Sequence, residues 1–208
     1  MLTGHTASDR AETLLFHLIR GADLSGLSSL RQTRPLGGSI TLVRPLLAFS
    51  RADTQACCED LGLPVWHDST NTDRQFSRNR LRLDVMPELE ALNPGATQHL
   101  ARTAQLLEEL EGQHSALEAL ALEAIRSDPG AYELDRQRWH QQPIELQKRL
   151  LHRWVQQTCQ QQLSAALTTE IWRQLQKPGR RPPIALSHGW QLQAEASMLK
   201  LIPPAAAT

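Results

Sequence analysis

The sequence has no excess charge of either sign. Lys plus Arg and Asp plus Glu both number 22 in 208 residues. No whole-molecule field gathers nucleic acid, so any RNA contact has to come from a local patch. Cysteine is scarce: Cys57 and Cys58 are adjacent and Cys159 stands apart. That pattern matches neither a CxxC redox pair nor a zinc knuckle, and it suits a reducing cytoplasm. No apolar run approaches the ~18–20 residues of a membrane span. Met1-Leu2-Thr3-Gly4-His5 has no basic segment and no apolar core, so a signal peptide is not expected. No internal repeat is present. Lysine is nearly missing, and arginine supplies 19 of the 22 basic residues. Guanidinium forks suit phosphate and carboxylate recognition better than a solvating surface, although genome composition produces the same bias. The length leaves room for one large or two small domains.

Residues 4–21 are the richest stretch. At about 100° per residue, Ala11, Leu14, Leu15, Leu18 and Ile19 fall on one side of a helix over 6–20. Asp9, Glu12, Thr13, Phe16 and Arg20 fall on the other. Gly4-His5 precedes the helix and Arg20-Gly21 ends it. Two carboxylates, a hydroxyl and a guanidinium on one face suit a site for both a cation and an anion. A helix N-terminus favours anions as well. The plainer reading is a solvated helix face, with acidic first-turn residues complementing the dipole.

Further along, residues 21–39 are rich in Gly and Ser and read as a loop with a short helix around Leu27–Leu30. Ile40–Val43 is β-prone, and Pro45 closes it. Ser50 and Gly62 bracket a helix from Arg51 to about Leu61. Leu63–Trp66 reads as extended. Strand, helix, strand suggests the tail of an α/β domain. A helix begins within the polar run His67–Arg82 and continues to about Met86. Asn93-Pro94 opens a long helix to about Arg126, with Leu100, Leu107, Leu110, Leu117, Leu120 and Leu122 as its apolar face. Asp128-Pro129-Gly130 stops it. Tyr132–Leu134 reads as a strand, with helices over about 144–159 and 169–176. After the basic turn Lys177–Pro183, Ile184–Leu186 and Trp190–Leu192 form a hairpin, and Leu199–Ile202 adds a strand. Pro203–Thr208 is expected to fray.

Arg74, Arg78 and Arg82 at i, i+4, i+8 would place three like charges on one helical face, which favours an anionic partner. Arg80 points elsewhere. Asn79 either serves a ligand or bonds nearby backbone. Trp66, Trp139, Trp154, Trp172 and Trp190 are dispersed and read as core or interface anchors. His5, Asp9 and Glu12 invite a metal reading. No second histidine stands at i+4 from His5, and arginine pairing satisfies the same carboxylates, so no metal site is expected.

Gly4-His5-xxx-Asp9-xx-Glu12-Thr13, with Arg20-Gly21 and Gly26-Leu27, resembles the second signature of the tRNA(Ile)-lysidine synthases, which are PP-loop (N-type) ATP pyrophosphatases. Arg44-Pro45-Leu46-Leu47, Ser50-Arg51, the block Asp68-Ser69-Thr70-Asn71-xx-Arg74-xxx-Arg78-Asn79-Arg80-Leu81-Arg82, Pro87-xx-Glu90 and Asn93-Pro94 follow in the family's order. The likeness is close over residues 4–94 and loose beyond. The family usually has two adjacent aspartates where this chain has Ser8-Asp9. Its Ser-Gly-Gly-x-Asp-Ser phosphate loop has no counterpart here, Gly37-Gly38 lying after the second signature.

The resemblance implies an incomplete doubly wound α/β portion, residues 1–88, the closing part of a PP-loop domain. A mainly helical, tRNA-associated domain, residues 89–208, would follow, ending in a small β-hairpin. It implies ATP-dependent ligation of L-lysine to C2 of the wobble cytidine of tRNA(Ile) through an adenylated intermediate, with Mg²⁺ carried on the ATP phosphates. Asp9 and Glu12 match the lysine-recognising pair, joined by Thr13 and Asn79 toward substrate. Arg78 and Arg82 would stabilise phosphate and developing negative charge, and Gly4, His5, Arg20 and Gly21 would line the nucleotide. Without the phosphate loop, the sequence reads as an N-terminally truncated synthase, inactive by itself. Another PP-loop tRNA-modifying enzyme such as a thiolase, or a non-catalytic RNA- or protein-binding remnant, remains open.

Overall fold

The computed structural model describes residues 1–28, 30–66, 69–127, 132–177, 179 and 182–204. His67, Asp68, the expected stop at Asp128-Pro129-Gly130, and Pro178, Arg180 and Arg181 of the basic turn lie outside the described residues. The chain forms two compact units, Met1–Gln113 and His114–Thr208.

In the first unit, helix α1 spans Ala7–Ile19. Thr6 starts it with a capping box. The Asp9 carboxylate accepts the Thr6 N–H at 2.8 Å and its hydroxyl at 2.9 Å, and Asp9 N–H donates back to Thr6 Oγ1 at 3.4 Å. Ala11 of α1 is fully buried with Leu81, Met86 and Ala101. Leu18 and Ile19, expected on the buried stripe, are exposed instead. The cluster takes helix residues from Ala7 to Phe16 and none later, so the last turn runs past its partners.

The Gly/Ser-rich stretch is more ordered than expected. Asp23 caps a short helix α2, Leu24–Leu27, and strand β1, Thr33–Gly37, pairs antiparallel with β2, Ile40–Val43. Gly38 at φ +56° and Ser39 make the hairpin turn, and Gly37 at φ +106° ends β1 just past a register shift. Every residue of β1 is exposed, so no in–out alternation marks it in sequence. On its other edge β2 bonds the start of the chain, with Leu2 in a parallel bridge to Val43.

A 3₁₀ turn at Pro45–Ala48 leads to α3, Arg51–Asp60. Ser50 caps α3 with Asp53, and Gly62 follows its end at φ +63°, as the sequence predicts. Leu63–Trp66 forms no strand; its apolar side chains are exposed and have no sheet to join. The strand–helix–strand unit expected there is therefore absent among the described residues.

After a 3₁₀ turn at Ser69–Thr72, the chain runs through α4, Ser77–Arg80, a wide π turn at Leu81–Val85, and α5, Met86–Leu92. The helix passes the expected end at Met86. Pro87 brings no N–H to the ladder, and the widened turn ahead of it takes up the fault.

Helix α6, Ala96–Ile125, begins two residues later than Asn93-Pro94 suggests. The Glu90 carboxylate, rather than the Asn93 side chain, accepts the N–H groups of Gly95 and Thr97, each at 2.8 Å. Bonds from the Thr97 hydroxyl and from these amides hold the Glu90 carboxyl down to about 2. Its folded value lies below the unfolded one, so its contribution is full above pH ~4.5 and fades as pH falls toward 2. Glu90→Gln is expected to lower the melting temperature by about 2–4 °C at pH 7. The deficit should vanish near pH 2, which thermal melts across that range would measure.

The buried face of α6 is Ala96, Ala101 and Ala104 early and Leu122 and Ile125 late. Leu110, Leu117 and Leu120 of the expected apolar face are exposed. The compact division falls inside this helix, between Gln113 and His114. Its first half belongs with the first unit because Ala101 packs there and Glu108 pairs with Arg10 of α1 at 3.0 Å.

The second unit holds the larger core. After β3, Glu133–Asp135, come α7, Arg136–His140, α8, Ile144–Cys159, and α9, Ala165–Leu175. Strands β4, Ile184–Ala185, β5, Gln191–Ala194, and β6, Met198–Ile202, complete an antiparallel sheet in the order β3-β6-β5-β4. Leu134, Leu192, Ala194, Leu199 and Leu201 from the sheet pack with Leu150, Leu151, Trp154 and Val155 of α8 and Ile171 and Leu175 of α9. Ser164 caps α9 earlier than predicted, and α7 is an element the polar Arg136–His140 run does not announce.

Two buried polar residues fix this unit. The Gln147 side chain donates to the carbonyls of His140 and Gln142 and accepts from Trp172 and Gln176. The Arg136 guanidinium donates to the carbonyls of Leu175, Lys177, Gly179 and Glu195 at 2.6–3.1 Å. It thereby closes the C-terminal end of α9. Among the described residues, no helix is long and apolar enough to cross a membrane.

Candidate active site

Asp9, Glu12, Thr13, Arg78 and Arg82 come together in the first unit. Glu12 is 2% exposed, not on an open face as expected from the helical wheel. Arg82 reaches from the π turn and grips it with two bonds, from Nε to Oε1 and from Nη2 to Oε2, both 2.8 Å. This hydrogen bonding raises the Arg82 pKa above its ordinary value. Arg78 lies farther off. Its Nε is 3.7 Å from Glu12 and its Nη2 is 3.9 Å from Asp9 and 3.3 Å from Thr13 Oγ1.

One member had not been expected. Arg51, the first residue of α3, extends Nη2 to Asp9 Oδ1 at 3.0 Å and Nη1 to Glu12 Oε1 at 3.4 Å. Its backbone N–H bonds Ser8 Oγ at 3.1 Å, and Ala7 N–H bonds the Phe49 carbonyl at 2.8 Å. The starts of α1 and α3 are thus stitched side by side. The sequence signals for Arg51 were its place after a helix-capping serine and the family's Ser50-Arg51 pair, and neither says what lies across the fold.

The constellation holds two carboxylates and three guanidiniums. Burial alone would push the Asp9 carboxyl up. The Thr6 N–H and hydroxyl, with the charges of Arg51 and Arg78, outweigh it and leave Asp9 below the usual carboxylate range. His5 stands nearby with Nδ1 3.0 Å from Thr3 Oγ1. Burial lowers its pKa first; Asp9 opposes that, and Arg44 and Arg78 reinforce it. The shift favours the neutral imidazole. Among the described residues, no group of three His, Cys, Asp or Glu side chains is arranged to hold a metal.

Two family models match the chain, the PP-loop domain over residues 1–89 and the TilS substrate binding domain over residues 134–198. The tRNA(Ile)-lysidine synthase of Parasynechococcus marenigrum is 43% identical over 210 residues, covering 99% of this chain. That of a Synechococcus strain is 48% identical over 175 residues, 84% of this chain, and that of Gloeobacter violaceus 38% over 203 residues, 97% of it. The chain belongs to the tRNA(Ile)-lysidine synthase family. It spans 61%, 53% and 62% of the length of these three relatives.

The other residues that the family resemblance pointed to are dispersed. Gly4 is exposed, and a Cβ added there would meet nothing within 4 Å. Arg20 and Gly21 end α1, roughly 20 Å along the helix from His5 at 1.5 Å per residue. Arg20 lies over the Phe16 ring, 5.0 Å from its centroid, and Gly21 adopts φ +72° just past the helix. The Asn79 amide donates to the backbone carbonyls of Thr70 and Asp73, each at 2.8 Å, so it ties down its own segment. Arg74 precedes α4 rather than sharing a face with Arg78 and Arg82, and it bonds Asp84 at 2.9 and 3.1 Å. Three arginines on one helical stripe are thus corrected to two, joined by Arg51 from another helix.

Proposed function

We propose that this chain supplies the lysine-selecting and tRNA-binding parts of a tRNA(Ile)-lysidine synthase. In the reaction, the wobble cytidine of tRNA(Ile) is adenylated at its C2 oxygen by ATP, with Mg²⁺ carried on the phosphates and pyrophosphate released. The lysine ε-amine then attacks C2, and AMP departs. The observation that carries this reading is that Asp9 and Glu12 already act as a pair toward cations, sharing the Arg51 guanidinium at 3.0 and 3.4 Å and Arg82 at 3.5 and 2.8 Å.

An ammonium bridging the same oxygens would be held by charge from both sides. Asp9, kept below the ordinary carboxylate range, is a poor proton acceptor and serves to hold the ammonium rather than deprotonate it. Arg78 is the guanidinium least engaged with carboxylates and therefore best placed to meet phosphate or the developing negative charge. Neutral His5 can accept or donate a hydrogen bond at the nucleotide without adding charge. Gly4, Arg20, Gly21, Thr13 and Asn79 belong to the reading as the surrounding wall. Residues 1–88 are read as the closing part of the PP-loop domain, in a doubly wound arrangement, and 89–208 as the tRNA-associated domain.

The test joins this chain to a family member's segment bearing the Ser-Gly-Gly-x-Asp-Ser loop and supplies tRNA(Ile), ATP and lysine. Lysidine is the expected product, detected by nucleoside mass spectrometry with stoichiometric pyrophosphate. The 208-residue chain by itself, which has no such loop in its sequence, is expected to release none. Lysine-independent product, or turnover by the chain alone, would overturn the reading.

A further inference from the structure

Resting on the lysine reading above, we infer that Arg51 is a built-in placeholder cation, exchanged for the substrate's ammonium and then paired with the substrate's α-carboxylate.

Asp9 Oδ2 is closed to ligands because Thr6 occupies it twice. Both Glu12 oxygens are gripped by Arg82, which is only 21% exposed. The remaining shared position, between Asp9 Oδ1 and Glu12 Oε1, is where the two Arg51 Nη atoms sit, with Arg82 reaching the same two oxygens from its own side at 3.5 and 2.8 Å. Arg51 is 43% exposed and reaches each carboxylate through a different nitrogen, so neither pairing is a fork-to-fork contact.

Three guanidiniums already outnumber two carboxylates. Adding an ammonium without removing a cation would stack like charge in a half-buried site. The Arg51 backbone is fixed by its bond to Ser8 and by its place at the start of α3, so the side chain alone can swing away. A released guanidinium needs an anion, and L-lysine brings one on the same molecule. A simple diamine brings none. Arg51 would therefore select an amino acid over a polyamine.

The test is titration of the chain with L-lysine and with cadaverine, its decarboxylated analogue, by calorimetry and by NMR of arginine Nε–H groups. Wild type is expected to prefer L-lysine, with the Arg51 signal moving on lysine addition and the Arg82 signal staying. Arg51→Gln is expected to bind cadaverine about fivefold tighter than wild type and to lose the preference, a factor near that of one half-exposed ion pair. If Arg51→Gln is not folded by circular dichroism, Arg51→Lys and the wild-type signals carry the result. An unchanged preference in the variant, or a stationary Arg51 signal, overturns the inference. If Glu12→Gln abolishes binding of both ligands in that case, the lysine reading survives. Failure of lysine to bind, or lysine binding untouched by Glu12→Gln, would overturn both.

Discussion

In the joined enzyme, Glu12→Gln is expected to raise the lysine KM by at least about 30-fold, while adenylation of tRNA by ATP stays within a few-fold of wild type. The substitution keeps shape and removes charge. Losing a desolvated partner of a cation weakens binding by roughly 2–5 kcal/mol. Here the loss falls at the lower end, because Asp9 remains and the facing guanidiniums are partly solvated. The effect should sit in KM because the carboxylate acts before C2 is attacked. A second signature accompanies it. Arg82 would keep one of its two short bonds, to the amide oxygen, and face an NH₂ donor in place of the other acceptor, so folding stability should fall by about 2 kcal/mol, discounted from a fully buried pair for the exposure of Arg51 and Arg78. Abolished adenylation with unchanged lysine dependence would assign the carboxylates to the nucleotide.

Arg136→Met should destabilise the second unit by about 3 kcal/mol. Methionine fills similar space but cannot donate, so the carbonyls of Leu175, Lys177, Gly179 and Glu195 lose a common partner. Hydrogen bonds to a charged donor contribute about 1.5–3 kcal/mol each, and solvent recovers part of that loss at the carbonyls it can reach. Arg136→Lys should recover little, since an ammonium is a point donor and cannot span four separated acceptors. Urea unfolding followed by circular dichroism tests both. A shift below 1 kcal/mol for the methionine variant would mean that the bonds are individually dispensable.

Elements set by local chemistry were readable from the residues. Ser50 and Gly62 bounded α3 because a cap depends on neighbours within one turn, and α1 began within one residue of the expected start, although its Thr6–Asp9 capping box was not read from the sequence. Helix α8 was readable at both ends. What failed depended on distant partners. Leu63–Trp66 has strand-like composition but no strand to pair with among the described residues, and β1 pairs without burying a face. Asn93-Pro94 looked like the start of α6, yet Glu90 does the capping from the preceding helix. In the site, Asp9, Glu12, Arg78 and Arg82 were legible through a recognisable motif. Arg51 stood in the same family series, but its place beside the carboxylates was not legible, since only the folding of α3 beside α1 brings it there. The predicted alignment of Arg74 with Arg78 failed because the helix begins after Arg74.

The tryptophans divide unevenly between the two units, and this decides what light can report. Trp66 is the single indole before residue 114 and is 94% exposed, whereas Trp139 and Trp154 in the second unit are fully enclosed. Intrinsic emission should therefore have a red-shifted component that collisional quenchers reach freely and a blue-shifted component that they barely touch. During denaturation, the blue component would follow the second unit almost exclusively. Loss of order around Asp9, Glu12 and Arg51 would pass nearly unseen, so a fluorescence melt of this protein is in effect a melt of one half.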